Sequence, residues 1–191
     1  MRWCYCNLSD FTPEEYKKAY ACLSPSRKAH IDRFRKQEDR TRSLAAELLV
    51  QKLLKEMGIK NGVLHRAENG QPCLEGCDLY VSITHCDKLV ACAVSHEPVG
   101  IDAERIRPMD LNASRHVCVA EEKAYLLGDG TVSGEQPCSD MAVLRRFFEI
   151  WTAKEAYFKK QGTGITDLKS VNILTLDRHP FCVGDYIIQI I

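Results

Sequence analysis

No run of this sequence stays apolar for the roughly 20 residues that a bilayer-crossing helix needs, so a membrane-spanning segment is not expected. The opening residues, Met1-Arg2-Trp3-Cys4-Tyr5-Cys6, lack the basic start and apolar stretch of a secretory signal. A cytoplasmic protein is the expectation. Net charge is missing too, because Lys plus Arg and Asp plus Glu number 26 each. Without a basic excess there is no broad footprint for nucleic acid, though a zero sum leaves room for a local basic pocket. The ten cysteines lack a pattern. Cys4/Cys6 and Cys73/Cys77 are isolated pairs without zinc-ribbon or finger spacing. Cys86, Cys92 and Cys118 sit among apolar residues, where a free thiol behaves as a small hydrophobe. Reduced thiols are expected rather than disulfides or a metal cluster. No internal repeat is evident.

What is present suffices for a core: 191 residues, 45% of them hydrophobic, make one domain or two small ones. A strand is predicted over 2–8. Thr12-Pro13-Glu14-Glu15 then starts a helix that runs to about 23. Ser24-Pro25-Ser26 opens a second, which leads into a basic amphipathic stretch over 27–36. A long helix over 37–57 carries Leu44, Leu48, Val50, Leu53, Leu54 and Met57 on one face, with Gly58 to close it. Next come a weak strand at 64–66, a turn at Asn69-Gly70-Gln71-Pro72, and strands over 79–84, 88–95 and 99–104. Three strands at hairpin spacing predict one antiparallel sheet packed by the long helix. Beyond Pro108 the pattern gives a helix over 120–127 and a polar, Gly-rich loop over 128–139, expected to be mobile. A second long helix follows over 141–161, with Leu144, Phe147, Phe148, Trp151 and Phe158 as its apolar stripe. Strands over 171–176 and 186–191 finish the chain. Helix-then-strands order in both halves hints at two related α+β lobes.

Two stretches carry chemistry. In Val99-Gly100-Ile101-Asp102-Ala103-Glu104 an apolar strand ends in two acids. Alternation along a strand puts Asp102 and Glu104 on one side, roughly 6.6 Å apart. They repel each other unless something positive lies near, either a hard cation such as Mg²⁺ or Arg105 and Arg107. In the second long helix Trp151, Glu155 and Lys159 recur every four residues and share a face. Glu155 and Lys159 are either an ordinary i,i+4 ion pair, worth a few tenths of a kcal/mol, or a third metal carboxylate beside a phosphate-binding lysine.

Taken together, Val-Gly-Ile-Asp-x-Glu and, some fifty residues on, Trp151-x-x-Lys154-Glu155-Ala156-x-x-Lys159-x-x-Gly162-x-Gly164 resemble the Sfp-type 4′-phosphopantetheinyl transferases. The resemblance extends upstream, in the right order. Ser24-Pro25 through Arg33-Phe34 and Glu38-Asp39-Arg40-Thr41-Arg42 look like that family's basic segment. Asn69-Gly70-Gln71-Pro72 and Ser82-Ile83-Thr84-His85 look like its Gly-Lys-Pro and Asn-Ile-Ser-His motifs.

The resemblance implies an α+β fold with a pseudo-two-fold arrangement of two α/β lobes, 1–98 and 99–191, each a long helix on a small, mainly antiparallel sheet. It implies Mg²⁺-dependent transfer of the phosphopantetheine arm of coenzyme A to a serine of an acyl or peptidyl carrier protein, with release of adenosine 3′,5′-bisphosphate. Asp102, Glu104 and Glu155 would hold the metal, and Lys159 would neutralise charge on the pyrophosphate. Glu155 and Glu122 are candidate bases for the serine, Glu122 otherwise being an ordinary first-turn helix acid. Arg27, His30, Arg42, Gln71, Thr84, His85 and Lys159 would meet coenzyme A. Lys154 either assists or forms a salt bridge. A monomer is expected, with no nucleic acid or membrane partner.

The sequence departs from the family pattern in places. Gln71 stands where the family commonly has lysine, which weakens one cationic contact. Thr84 replaces serine and keeps the hydroxyl. The chain stops at an apolar strand where longer relatives continue, so an exposed sheet edge is expected there. Two other functions fit the same residues: a relative that binds coenzyme A or a carrier protein without turnover, and an Mg²⁺-dependent phosphohydrolase.

Overall fold

Local signals start and stop the helices. Thr12 and Glu15 cap one another, each side chain accepting the other's backbone N–H, and so begin α1 (Pro13–Ala21). Ser24 caps α2 (Pro25–Asp32), which has proline in its first turn. The long helix α3 (Gln37–Glu56) ends where Gly58 takes a left-handed φ of +74°. Asp140 accepts the N–H groups of Ala142 and Val143 to start the second long helix, α6 (Met141–Gln161), and Gly162 (φ +68°) stops it. The computed structural model describes residues 1–128 and 137–191. Most of the loop expected over 128–139 lies outside the described residues.

The chain divides into two compact units, Met1–Pro98 and Val99–Ile191. In the first, β1 (Arg2–Asn7), β4 (Tyr80–Cys86) and β5 (Leu89–Ser95) form an antiparallel sheet in the order β1-β5-β4. A separate hairpin pairs β2 (Val63–Arg66) with β3 (Pro72–Glu75). Alternate residues of the central strand, Val90, Cys92 and Val94, face a core shared with Val81 and with Leu49, Val50 and Leu53 of α3. Each such aliphatic side chain, fully buried, contributes about 1.5–3 kcal/mol.

The second unit repeats this plan with other parts. Its sheet has the antiparallel order β6-β8-β7, from β6 (Ile101–Arg105), β7 (His179–Val183) and β8 (Tyr186–Ile190). Leu144, Phe147, Ile150 and Ala153 of α6 pack in one core with Ile187 of β8. The short α4 (Ser114–Val117) and α5 (Ala120–Leu127) complete it. Each unit is therefore a long helix on a small antiparallel sheet, the α+β class expected.

Three expectations are corrected. The strand around Asp102 does not extend the 79–95 sheet: β1 takes the second edge of β5, and β6 pairs with β8 instead. Residues 171–176 are not a strand. Ile173 gives its N–H to Glu122, and Asn172 Oδ1 takes the N–H of Leu174, so these donors serve a 3₁₀ turn at Ile173–Thr175 and not a ladder. The last strand is not an exposed edge. β8 lies between β6 and β7, and Ile187, Ile188 and Gln189 have no exposed surface. Sequence reasoning missed two strands, each containing a proline: β3 begins with Pro72, and β7 carries Pro180 at the edge of its sheet, both places where a strand tolerates proline. All ten cysteines are free thiols. Among the described residues no helix is long and apolar enough to cross a membrane.

Candidate active site

In the second unit the site begins with a glycine. A side chain at Gly100 would collide with the Ala156 carbonyl oxygen, so β6 lies directly against α6 at this point. That close approach brings the strand's acids to the helix residues flanking Ala156. Asp102 is 5% exposed, and its Oδ1 lies 2.6 Å from Lys159 Nζ. Glu104, further along the same face, reaches the exposed Arg107 at 3.2 Å. Opposite Asp102 in register is Gln189, which is fully buried with neither amide atom hydrogen-bonded among the described residues.

Glu155 and Lys159 form no i,i+4 ion pair among the described residues. Lys159 reaches across to Asp102. Glu155 accepts no hydrogen bond and forms no ion pair among the described residues. Burial, then the charge of Asp102, pushes its carboxyl up to about 7; Lys159 opposes this and Glu104 adds to it. The three acids thus feel one another's charge. Neither they nor any other three His, Cys, Asp or Glu among the described residues already converge as a metal-ligand group.

Glu122 is enclosed and already paired. Both it and Lys154 are fully buried, with Nζ 2.7 Å from Glu122 Oε2. Lys154 also donates to the carbonyls of Val117, Leu168 and Val171 at 2.7–2.8 Å. The Glu122 oxygens accept the N–H groups of Val119 and Ile173. Every polar atom of the pair is committed to tying loop backbone to α5 and α6. Glu122 has no face that a substrate serine can approach, and Lys154 is likewise structural.

The first unit offers a cavity of about 80 Å³ lined by Arg27, His30, Arg42, His65, Arg66 and His85, among others. On a scale where one water takes roughly 10–15 Å³, this is room for a phosphate-sized anion. Arg27, 9% exposed, is held from behind by Glu47, with Nε–Oε2 at 2.6 Å. Gln51 donates to the other Glu47 oxygen. The two terminal nitrogens of Arg27 make no hydrogen bond among the described residues. Arg42 is partly committed: it donates to Asp39 at 2.8 Å and to the carbonyl of Asp87, whose φ of +51° marks the tight turn after His85. Burial, then the charges of Arg27, Arg66 and Arg33, hold His30 below the ordinary imidazole value. Of the expected ligand-binding residues, Arg27, His30, Arg42 and His85 line this cavity, whereas Gln71 and Thr84 do not. Sequence reasoning missed Glu47 and Arg66. A lone acid inside the apolar stripe of α3 was the available signal for Glu47, since a buried carboxylate needs a partner.

Comparison with known proteins accounts for both halves. A family model described as the 4′-phosphopantetheinyl transferase superfamily matches residues 98–189. One described as 4′-phosphopantetheinyl transferase, N-terminal, matches residues 10–98. The chain belongs to the 4′-phosphopantetheinyl transferase superfamily. It is 36% identical over 131 residues to the 4′-phosphopantetheinyl transferase gsp of Aneurinibacillus migulanus, covering 67% of this chain and 51% of the relative. To the transferase Sfp of Bacillus subtilis it is 27% identical over 157 residues, 80% of this chain and 66% of the relative. The fungal relative pptA of Paxillus involutus is 29% identical over 181 residues, 82% and 66% of the two chains. The chain thus spans about half to two thirds of the length of these curated relatives.

This phosphopantetheinyl transferase family member has a donor set that suits the divalent cation its family implies. The candidates are carboxylate oxygens, the ligands a hard cation prefers, and among the described residues Glu155 has no competing donor. Mg²⁺ commonly takes one or two protein carboxylates and fills its other positions with water and substrate phosphate. A pre-closed three-acid cage is not required.

Proposed function

We propose that this chain transfers the 4′-phosphopantetheine arm of coenzyme A to a serine of an acyl or peptidyl carrier protein, with Mg²⁺, in the cytoplasm and as a monomer. The observation that carries the reading is the juxtaposition of Asp102, Glu104, Glu155 and Lys159 across β6 and α6 in a member of this superfamily. In the transfer the serine oxygen bonds to the phosphorus that bears pantetheine. The bond from that phosphorus to the bridging oxygen breaks, and adenosine 3′,5′-bisphosphate leaves. Such chemistry depends on positioning and charge neutralisation more than on covalent help from the protein.

Asp102, Glu104 and Glu155 would hold the metal, which when bound supplies charge neutralisation at the pyrophosphate. The Lys159 ammonium turns from Asp102 to the pyrophosphate oxygens. Glu155 is the candidate to accept the serine proton, since it takes no hydrogen bond and forms no ion pair among the described residues. In the first unit, Arg27 presents its free guanidinium edge to a phosphate, with His30 and His85 on the same cavity wall.

The test is intact mass spectrometry of an apo acyl carrier protein incubated with this protein, coenzyme A and Mg²⁺. A gain of one phosphopantetheine mass, lost with EDTA, is expected. Coenzyme A binding with no gain on any of several carriers would favour a non-catalytic binder. Hydrolysis of coenzyme A without a carrier would favour a phosphohydrolase.

A further inference from the structure

We infer that Arg66 gives the cavity of the first unit its net attraction for the phosphates of coenzyme A, supplying the cation that Gln71 does not. The inference rests on the transferase reading above and extends it to a residue outside the resemblance.

Three guanidinium groups line the cavity. Arg27 is paired with the buried Glu47 at 2.6 Å, and Arg42 with Asp39 at 2.8 Å. Each pair presents donors to a ligand but adds little net charge to the cavity. His30, held toward its neutral form, adds little at neutral pH. Arg66 has no carboxylate partner among the described residues. Its Nη1 donates to the Gly70 carbonyl at 2.7 Å, leaving four of the five N–H donors of a guanidinium. That one bond also fixes the group over the turn, so less rotamer freedom is lost when an anion arrives.

The hairpin explains the exchange of roles. Arg66 stands opposite Pro72 in the β2–β3 register, and both line the cavity. Gln71 precedes Pro72 at the hairpin mouth and is not a lining residue. The family pattern supplies a cation at position 71, in the turn, whereas the residue of this hairpin that lines the cavity with a cation is Arg66 on β2.

The experiment measures coenzyme A affinity by titration calorimetry, alongside transfer kinetics, for the full chain, Arg66→Gln, Arg66→Lys, and Arg66→Gln with Gln71→Lys. Arg66→Gln is expected to weaken binding roughly tenfold and to raise KM in proportion, with kcat at saturating coenzyme A within twofold. Arg66→Lys should retain part of the affinity, and Gln71→Lys should restore most of what Arg66→Gln loses. Since Arg66 is exposed, melting temperatures should not move. Affinity within twofold of the parent in Arg66→Gln would overturn the inference while leaving the transferase reading intact. So would weakened binding that Gln71→Lys does not restore. A parent protein that neither binds coenzyme A nor transfers from it would overturn both.

Discussion

Lys159 of α6 and Asp102 of β6 meet as ammonium and carboxylate 2.6 Å apart, with the acid nearly buried and the lysine about one-third exposed. On the proposed transferase reading each also serves the reaction, so the pair would be a contact that turnover exchanges. Lys159→Met should lower stability by on the order of 1–3 kcal/mol, because it removes a cation from beside a buried acid. Thermal melts should show the deficit in EDTA and a smaller one in Mg²⁺, where the metal replaces the lost charge. Transfer should fall by roughly 100-fold or more, and Asp102→Ala should abolish it with the fold largely intact. An equal deficit with and without Mg²⁺ would remove Asp102 from the metal site.

Glu155 gives the metal assignment a pH signature. Its carboxyl is raised from the ordinary 4.5 to about 7 in the fold, by burial first and then by Asp102. A raised folded value means that this group's favourable contribution is complete below the unfolded value. It is lost as pH climbs from there through the folded value. A divalent cation at Glu155 replaces the missing proton. Melting temperature should therefore rise more on adding Mg²⁺ at pH 8 than at pH 6. Equal shifts at both pH values would mean that the metal does not bind at Glu155.

The Glu122–Lys154 pair predicts a loss of stability without a matching loss of chemistry. Lys154→Met strands a buried carboxylate and should cost about 3–5 kcal/mol, or roughly 10 °C or more in melting temperature. Glu122→Gln is gentler, and its folded fraction should transfer at close to the parental kcat. A well-folded Glu122→Gln protein with kcat reduced 100-fold would return Glu122 to the catalytic set.

Gly100→Ala tests how closely strand and helix must approach. The added methyl group collides with backbone at Ala156, which cannot rotate away as a side chain could. A cost of about 1–3 kcal/mol is expected. Because the displacement separates the strand bearing Asp102 from the helix bearing Glu155 and Lys159, activity should fall further than stability. Retained kcat would show that the site tolerates a wider gap.

Gln189→Leu should stabilise the protein. Its amide is fully buried and makes no hydrogen bond among the described residues, and replacing an unsatisfied polar group with an apolar one of similar shape is neutral or favourable. A drop of several degrees in melting temperature would show instead that the amide serves its cross-strand neighbour Asp102.

Helices were legible because their punctuation is local: Thr12, Ser24, Gly58 and Gly162 act within a turn of where they stand. Sheet partners were not. Nothing in the strand around Asp102 says that it pairs with a segment some ninety residues on and not with the neighbouring hairpin. The turn at Ile173–Thr175 was misread as a strand because its apolar run looks extended, until Glu122 takes its backbone N–H. The acids and lysine on β6 and α6 were visible as spacing and resemblance. The charge balance of the first-unit cavity was not, because Glu47 behind Arg27, and Arg66 with no carboxylate partner among the described residues, are facts about three-dimensional neighbours.

The free thiols differ sharply in availability. Burial pushes Cys4, Cys6 and Cys118 up to about 11 and Cys92 well above the ordinary thiol value. These four stay protonated under mild alkylating conditions and react slowly. Cys22 and Cys182 are exposed, and one lies on each unit. Brief treatment with a maleimide probe should therefore favour one reporter on each half of the unsubstituted chain. Those two handles offer a spectroscopic readout of each unit of the chain without altering any residue of the candidate site.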